Sequence, residues 1–127
     1  MPKPKLHRLG DLQLRILQTL WEREEASVAA VHAALTKERL AHTTIATMLR
    51  KMEARGLVAH RAEGRTFLYR AAVAAEHVNQ GMADHVLDRL FEGRLADMVS
   101  HLLDTREVSK DELAELQRLV AKRRRTV

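Results

Sequence analysis

Hydrophobic and polar positions follow three successive rhythms along this chain: helical, then strand-like, then helical again. From about Asp11, the residues Leu12, Ile16, Leu17, Leu20 and Trp21 recur at helical spacing and form one apolar face. Glu22 to Ala26 breaks the pattern. Ser27 then suits the cap of a second, short helix whose inner face is Val28, Val31 and Leu35. A loop through Lys37, Glu38 and Arg39 leads to a third helix, about Thr43 to Arg55. Its Ile45, Met48, Leu49 and Met52 keep the i, i+3, i+4, i+7 pattern, and Gly56 stands just past its end. The period then changes. Leu57 to Arg61 and Thr66 to Arg70 are short runs rich in β-formers, and Ala62-Glu63-Gly64-Arg65 between them supplies a turn, so a β-hairpin is expected.

Helical spacing returns after Val73. A fourth helix is expected from about Ala75 to Glu92, with Val78, Met82, Val86, Leu87, Leu90 and Phe91 apolar and Gly93 as the stop. A fifth runs from about Arg94 to Thr105 with Leu95, Met98, Val99, Leu102 and Leu103. A sixth opens on Ser109-Lys110-Asp111-Glu112, a capping box in which the Ser109 hydroxyl accepts from the amide three residues on and Glu112 reaches back. It carries Leu113, Leu116, Leu119 and Val120 and runs into a basic end.

The fold class this predicts is mainly α with a small β-hairpin: a winged helix-turn-helix followed by a three-helix C-terminal domain. The expected division is a flexible arm over 1–8, which holds both prolines, the winged helix-turn-helix over 9–72, the helical domain over 73–122 and a basic tail over 123–127. Three helices with broad apolar stripes and almost no aromatics make a thin core, and units this small are commonly completed by association. Val86, Leu90, Phe91, Leu95, Met98, Val99, Leu102, Leu113, Leu116, Leu119 and Val120 are the candidate dimerisation residues. The alternative is ordinary packing of these helices onto the N-terminal domain.

Composition narrows the function. The 127 residues contain no cysteine, which excludes disulfide scaffolds, thiolate metal sites and cysteine nucleophiles. No apolar run approaches the roughly 18 residues of a membrane span, and no secretory signal pattern follows the first residues. The expectation is a cytoplasmic protein without direct membrane association. Charge is distributed unevenly. Residues 1–75 hold 13 Lys/Arg against 7 Asp/Glu, residues 76–121 hold 5 against 10, and Lys122 to Arg125 are four consecutive cations. A basic N-terminal half suits a polyanion, most often nucleic acid.

The third helix is the candidate reader of double-stranded DNA. It turns Thr43, Thr44, Thr47, Arg50, Lys51 and Arg55 outward, of which Thr43, Thr44, Thr47, Arg50 and Lys51 are the candidate contacts. A threonine offers a hydroxyl to a base edge or phosphate and a methyl to a thymine methyl, and the first turn is where helix-turn-helix proteins present side chains to bases. Threonines near a helix start also serve simply as caps. Arg61 and Arg65 flank the hairpin turn and suit backbone or minor-groove contacts. Winged helices also act as protein-binding modules, so the fold alone does not fix the function. Seven dispersed histidines include no i, i+4 pair and no clear completing carboxylate, so no metal site and no cofactor are implied. No nucleophile turn, phosphate loop or catalytic carboxylate pair marks an enzyme.

The chain resembles the penicillinase-repressor family of bacterial transcriptional regulators (BlaI, MecI and CopY) from Leu9 to about Lys122. The resemblance rests on Gly10-Asp11-Leu12-Gln13, on Leu20-Trp21 and on the run from His42 through Arg55 to Gly56-Leu57-Val58. The wing segment Gly64 to Tyr69, Leu90-Phe91-Glu92-Gly93 and Ser109 to Leu116 continue it. The resemblance implies a homodimeric repressor on an operator of dyad symmetry, with major-groove contacts from Thr43, Thr44, Thr47, Arg50 and Lys51. The copper-responsive branch uses a cysteine-rich motif that this chain lacks. The β-lactam branch is inactivated by a membrane-bound sensor protease that cuts at an Asn-Phe step in the fifth helix, and the corresponding step here is His101-Leu102.

Overall fold

The computed structural model describes residues 9–127; the arm expected over 1–8 lies outside the described residues. In chain order the elements are α1 (Asp11–Arg23), α2 (Val28–Ala34), a single 3-10 turn over Thr36–Glu38, α3 (His42–Ala54), β1 (Val58–Glu63), β2 (Thr66–Ala71), α4 (Ala75–Phe91), α5 (Leu95–Thr105) and α6 (Lys110–Thr126). The chain divides into two compact units between His85 and Val86.

The first unit is a winged helix-turn-helix. Ile16, Leu17 and Leu20 from α1, Val31 from α2, and Ile45, Leu49 and Met52 from α3 are essentially sealed from water, with Leu57 and Val58 at the base of the hairpin. Each such side chain contributes about 1.5–3 kcal/mol on burial, so this cluster holds the three helices together. Tyr69 is buried with them, and Trp21 packs at the edge, its indole Nε1–H donating to the Val73 carbonyl at 2.9 Å. Val78 is also buried in this core and Met82 packs against it. The first unit therefore runs past the hairpin to His85, beyond the 72/73 division expected from sequence, because the first turns of α4 carry apolar residues that this core takes up.

Local signals set the element ends. Ser27 Oγ accepts from the Ala30 amide at 3.1 Å and starts α2. α3 ends in a Schellman arrangement: Gly56, at φ +78°, donates to the Glu53 carbonyl, and the Leu57 amide donates to that of Met52. The turn of the helix-turn-helix is held from both sides. Arg15 on α1 pairs with Glu38 at 2.9 Å, and the His32 ring nitrogen meets the Leu40 carbonyl at 2.8 Å.

β1 and β2 are antiparallel, with Val58 opposite Ala71, His60 opposite Tyr69 and Glu63 opposite Thr66. The strands reach two residues nearer each other than the sequence pattern suggested, so the turn is only Gly64-Arg65, with Gly64 at φ +62°. The Tyr69 amide and carbonyl also pair with those of Ala26, so the segment before α2 borders the outer edge of β2.

The second unit holds the end of α4 with α5 and α6. Of the capping box expected at the start of α6, Ser109 Oγ accepts from the Glu112 amide at 3.1 Å, while the return bond from the Glu112 side chain does not form. Residues 123–126, expected as part of a tail, continue α6 to Thr126. No residue of this unit is buried; Leu90, Leu95, Leu119 and Val120 are more than half exposed.

Candidate nucleic-acid interface

Burying Ile45, Leu49 and Met52 fixes the rotation of α3 and forces the opposite face outward. Thr43, Thr44, Thr47, Arg50 and Lys51 are all exposed there. At about 100° per residue they span an arc of roughly 120°, compatible with one helix face entering a groove. Four of the five, with Met48, line a shallow hollow on that face. The side chains already interact, Arg50 donating from a terminal guanidinium nitrogen to Thr47 Oγ1 at 3.3 Å. Arg50 and Lys51 form no ion pair among the described residues, so both charges are available to a polyanion.

Met48, expected to face inward with the core residues, is only partly buried and borders the hollow; Gln13 Nε2 meets its sulfur at 3.6 Å. The Gln13 carbonyl oxygen accepts from the Gly10 amide and from Arg55, tying the start of α1 to the end of α3. On the far side, Glu53 of α3 pairs with His60 of β1 at 2.7 Å, and the His60 ring lies against Phe67 and Tyr69. The helix and the wing are thereby held as one surface.

The two wing arginines occupy different environments. Arg65 stands in the hairpin turn and is exposed. Arg61 is engaged: it donates to both Glu25 oxygens, at 2.7 and 3.1 Å, and to Glu63 at 3.1 Å. The hydrogen bond from Arg61 lowers the Glu25 pKa, with the charges of Arg61 and Arg70 adding to it and slight burial opposing. Arg61 thus braces the wing against the segment between α1 and α2. Its charge is already matched by two carboxylates, which leaves less of it for a phosphate than Arg65 has.

Phe67 and His42 carry no strong one-dimensional signal for this surface. Phe67 shares the core-facing side of the hairpin with Tyr69, but the strand has run beyond the core at that point, leaving the ring half exposed. His42, next to Thr43, is exposed, its ring edge-on to His32 at 5.8 Å.

A sequence model of the penicillinase repressor family matches residues 9–122. The penicillinase repressor of Bacillus licheniformis is 26% identical over 117 residues, covering 91% of each chain. The transcriptional regulator BlaI of Mycobacterium tuberculosis is 32% identical over 120 residues, 92% of this chain and 86% of its own. Among solved structures, the DNA-binding domain of the repressor BlaI matches 57% of this chain and 89% of its own, at 26% identity and a TM-score of 0.50. The oxidised form of MarR from E. coli shares the fold over 91% of this chain and 75% of its own, at 14% identity and a TM-score of 0.53.

Proposed function

This chain belongs to the penicillinase repressor family of transcriptional regulators, and from that premise we propose that it represses transcription by binding a dyad-symmetric operator as a homodimer. The observation that carries the reading is the α3 face: three exposed threonines and two cations without an ion pair among the described residues, on one side of a helix whose other side anchors the core. Thr43, Thr44 and Thr47 meet base edges, Arg50 and Lys51 meet guanine or phosphate, and Arg65 reaches the backbone from the wing. Arg61 acts chiefly by holding the wing. Binding releases counterions, so affinity falls steeply with salt.

The second unit supplies the dimer. Its stripes, including Val86, Leu90, Leu95, Val99, Leu102, Leu113, Leu116, Leu119 and Val120, stay in water in the single chain, a cost that a second copy removes. Phe91 and Met98 flank them, partly buried. Two-fold symmetry then sets the two α3 helices about one DNA turn, or a multiple of it, apart. A sensor protease acting at the family's Asn-Phe position would meet His101-Leu102, inside α5.

The test is a fluorescence-anisotropy titration of the full chain on the duplex upstream of its own gene, against random competitor at two salt concentrations. Tight, competitor-resistant and salt-dependent binding is expected. Binding no better than to random DNA would count against an autoregulating repressor.

A further inference from the structure

Beside the α3 face lies a second hollow, of about 380 Å³, walled by three elements. Ser27 and Ala29 line it from the start of α2, His42 from the first turn of α3, and Arg65, Thr66 and Phe67 from the wing. Its chemistry is mixed. Arg65 brings a guanidinium, His42 a ring N–H and Thr66 a hydroxyl, all donors to an anion. Phe67, 50% exposed, adds a flat apolar surface. That ring is held by His60, whose centroid lies 4.4 Å away, and His60 is in turn fixed by Glu53. An exposed aromatic held by a paired histidine is a preorganised platform, because little side-chain freedom remains to be lost on contact.

We propose that this hollow seats one sugar–phosphate unit of the DNA backbone, the phosphate accepting from Arg65, His42 and Thr66 and the deoxyribose lying on Phe67. The inference rests on the DNA-binding reading and adds His42, Thr66 and Phe67 to it. Position supports it as well as chemistry. His42 and Thr43 are consecutive, so the first turn of α3 borders both hollows. A strand whose base edges meet Thr43 therefore passes its backbone beside His42. A donor set next to an apolar platform matches the alternation of phosphate and sugar, whereas a bare anion would leave the phenyl ring without a partner. Contacts of this kind set register on the duplex and carry no sequence information.

The test compares the wild-type full chain with His42→Ala, Arg65→Ala and Phe67→Ala on the operator and on a random duplex, with circular dichroism confirming the fold. Each variant is expected to weaken binding about 3- to 10-fold, the value of roughly one net hydrogen bond or contact, and by the same factor on both duplexes. Arg65→Ala is also expected to flatten the logarithmic salt dependence by about one unit. In a scan of neutral methylphosphonate substitutions along the operator, the Arg65→Ala penalty should vanish at one position of each half-site. A penalty that persists at every position, or is confined to the operator, overturns the backbone seat, as does wild-type affinity in His42→Ala and Phe67→Ala. A wild-type chain that binds neither duplex overturns instead the DNA-binding reading beneath it.

Discussion

Replacing Leu95 with alanine should loosen the proposed dimer without unfolding the chain. Leu95 opens α5, lies on the same stripe as Met98, Val99 and Leu102, and is 63% exposed. Complete burial of a leucine side chain is worth about 1.5–3 kcal/mol. The part still in water accounts for about 1.5 kcal/mol when a partner covers it, of which the alanine Cβ retains a fraction. That leaves about 1 kcal/mol per protomer, and two-fold symmetry doubles it. A cavity at the interface raises the total towards about 3 kcal/mol. The dimer dissociation constant should therefore rise about 30- to 150-fold. Sedimentation equilibrium over a concentration series measures this directly, and far-UV circular dichroism checks that the helices persist. An unchanged dissociation constant, or a wild-type chain that stays monomeric at high concentration, would refute the assignment of this stripe to the dimer.

Thr43→Ala with Thr47→Ala should reduce the preference for operator over random DNA about 10- to 100-fold, the range for losing one or two base contacts, while the melting temperature stays the same; competition anisotropy and calorimetry read the two quantities. Leu49→Ala removes a side chain fully enclosed between α3 and its neighbours and should cost about 2–5 kcal/mol in urea unfolding, with DNA binding lost as the fold is lost. Glu25→Gln should flatten the acid limb of the stability curve. The hydrogen bond and charge of Arg61 hold the folded-state pKa of Glu25 below the usual glutamate range, so the stabilisation it confers is present above that range and is lost as pH falls through the lowered pKa. Urea titrations between about pH 6 and pH 2 should show a smaller loss in the variant than in the wild type, and equal losses would show that the Arg61 pair adds nothing to folding.

Much of the first unit is legible in one dimension because its signals are local. Ser27 caps α2 through an amide three residues away, Gly56 ends α3 because it tolerates φ +78°, and Ile45, Leu49 and Met52 repeat at the helical period. The outward set on α3 follows from that inward set without further information, since a helix has one phase. The apolar stripes of α5 and α6 were equally readable.

Where partners are distant in sequence, the pattern is silent. Arg61 and Arg65 look alike in sequence as cations beside a hairpin turn, but only folding brings Glu25, 36 residues away, against Arg61 and leaves Arg65 without such a partner among the described residues. Phe67 reads as an ordinary strand residue. Its half-exposed position arises because the hairpin outruns the core, and its tie to Glu53 passes through His60 across a strand pair. The extent of the first unit, through Val78 to His85, likewise depends on which apolar residues of α4 the core takes up, not on the period of α4 itself. Sequence alone determined the helices, the hairpin and the face of α3, since backbone capping and side-chain period act over a few residues. Tertiary structure alone decided which cations stay available and which side chains share a hollow, since charge pairing and surface shape depend on residues that meet only once the chain is folded.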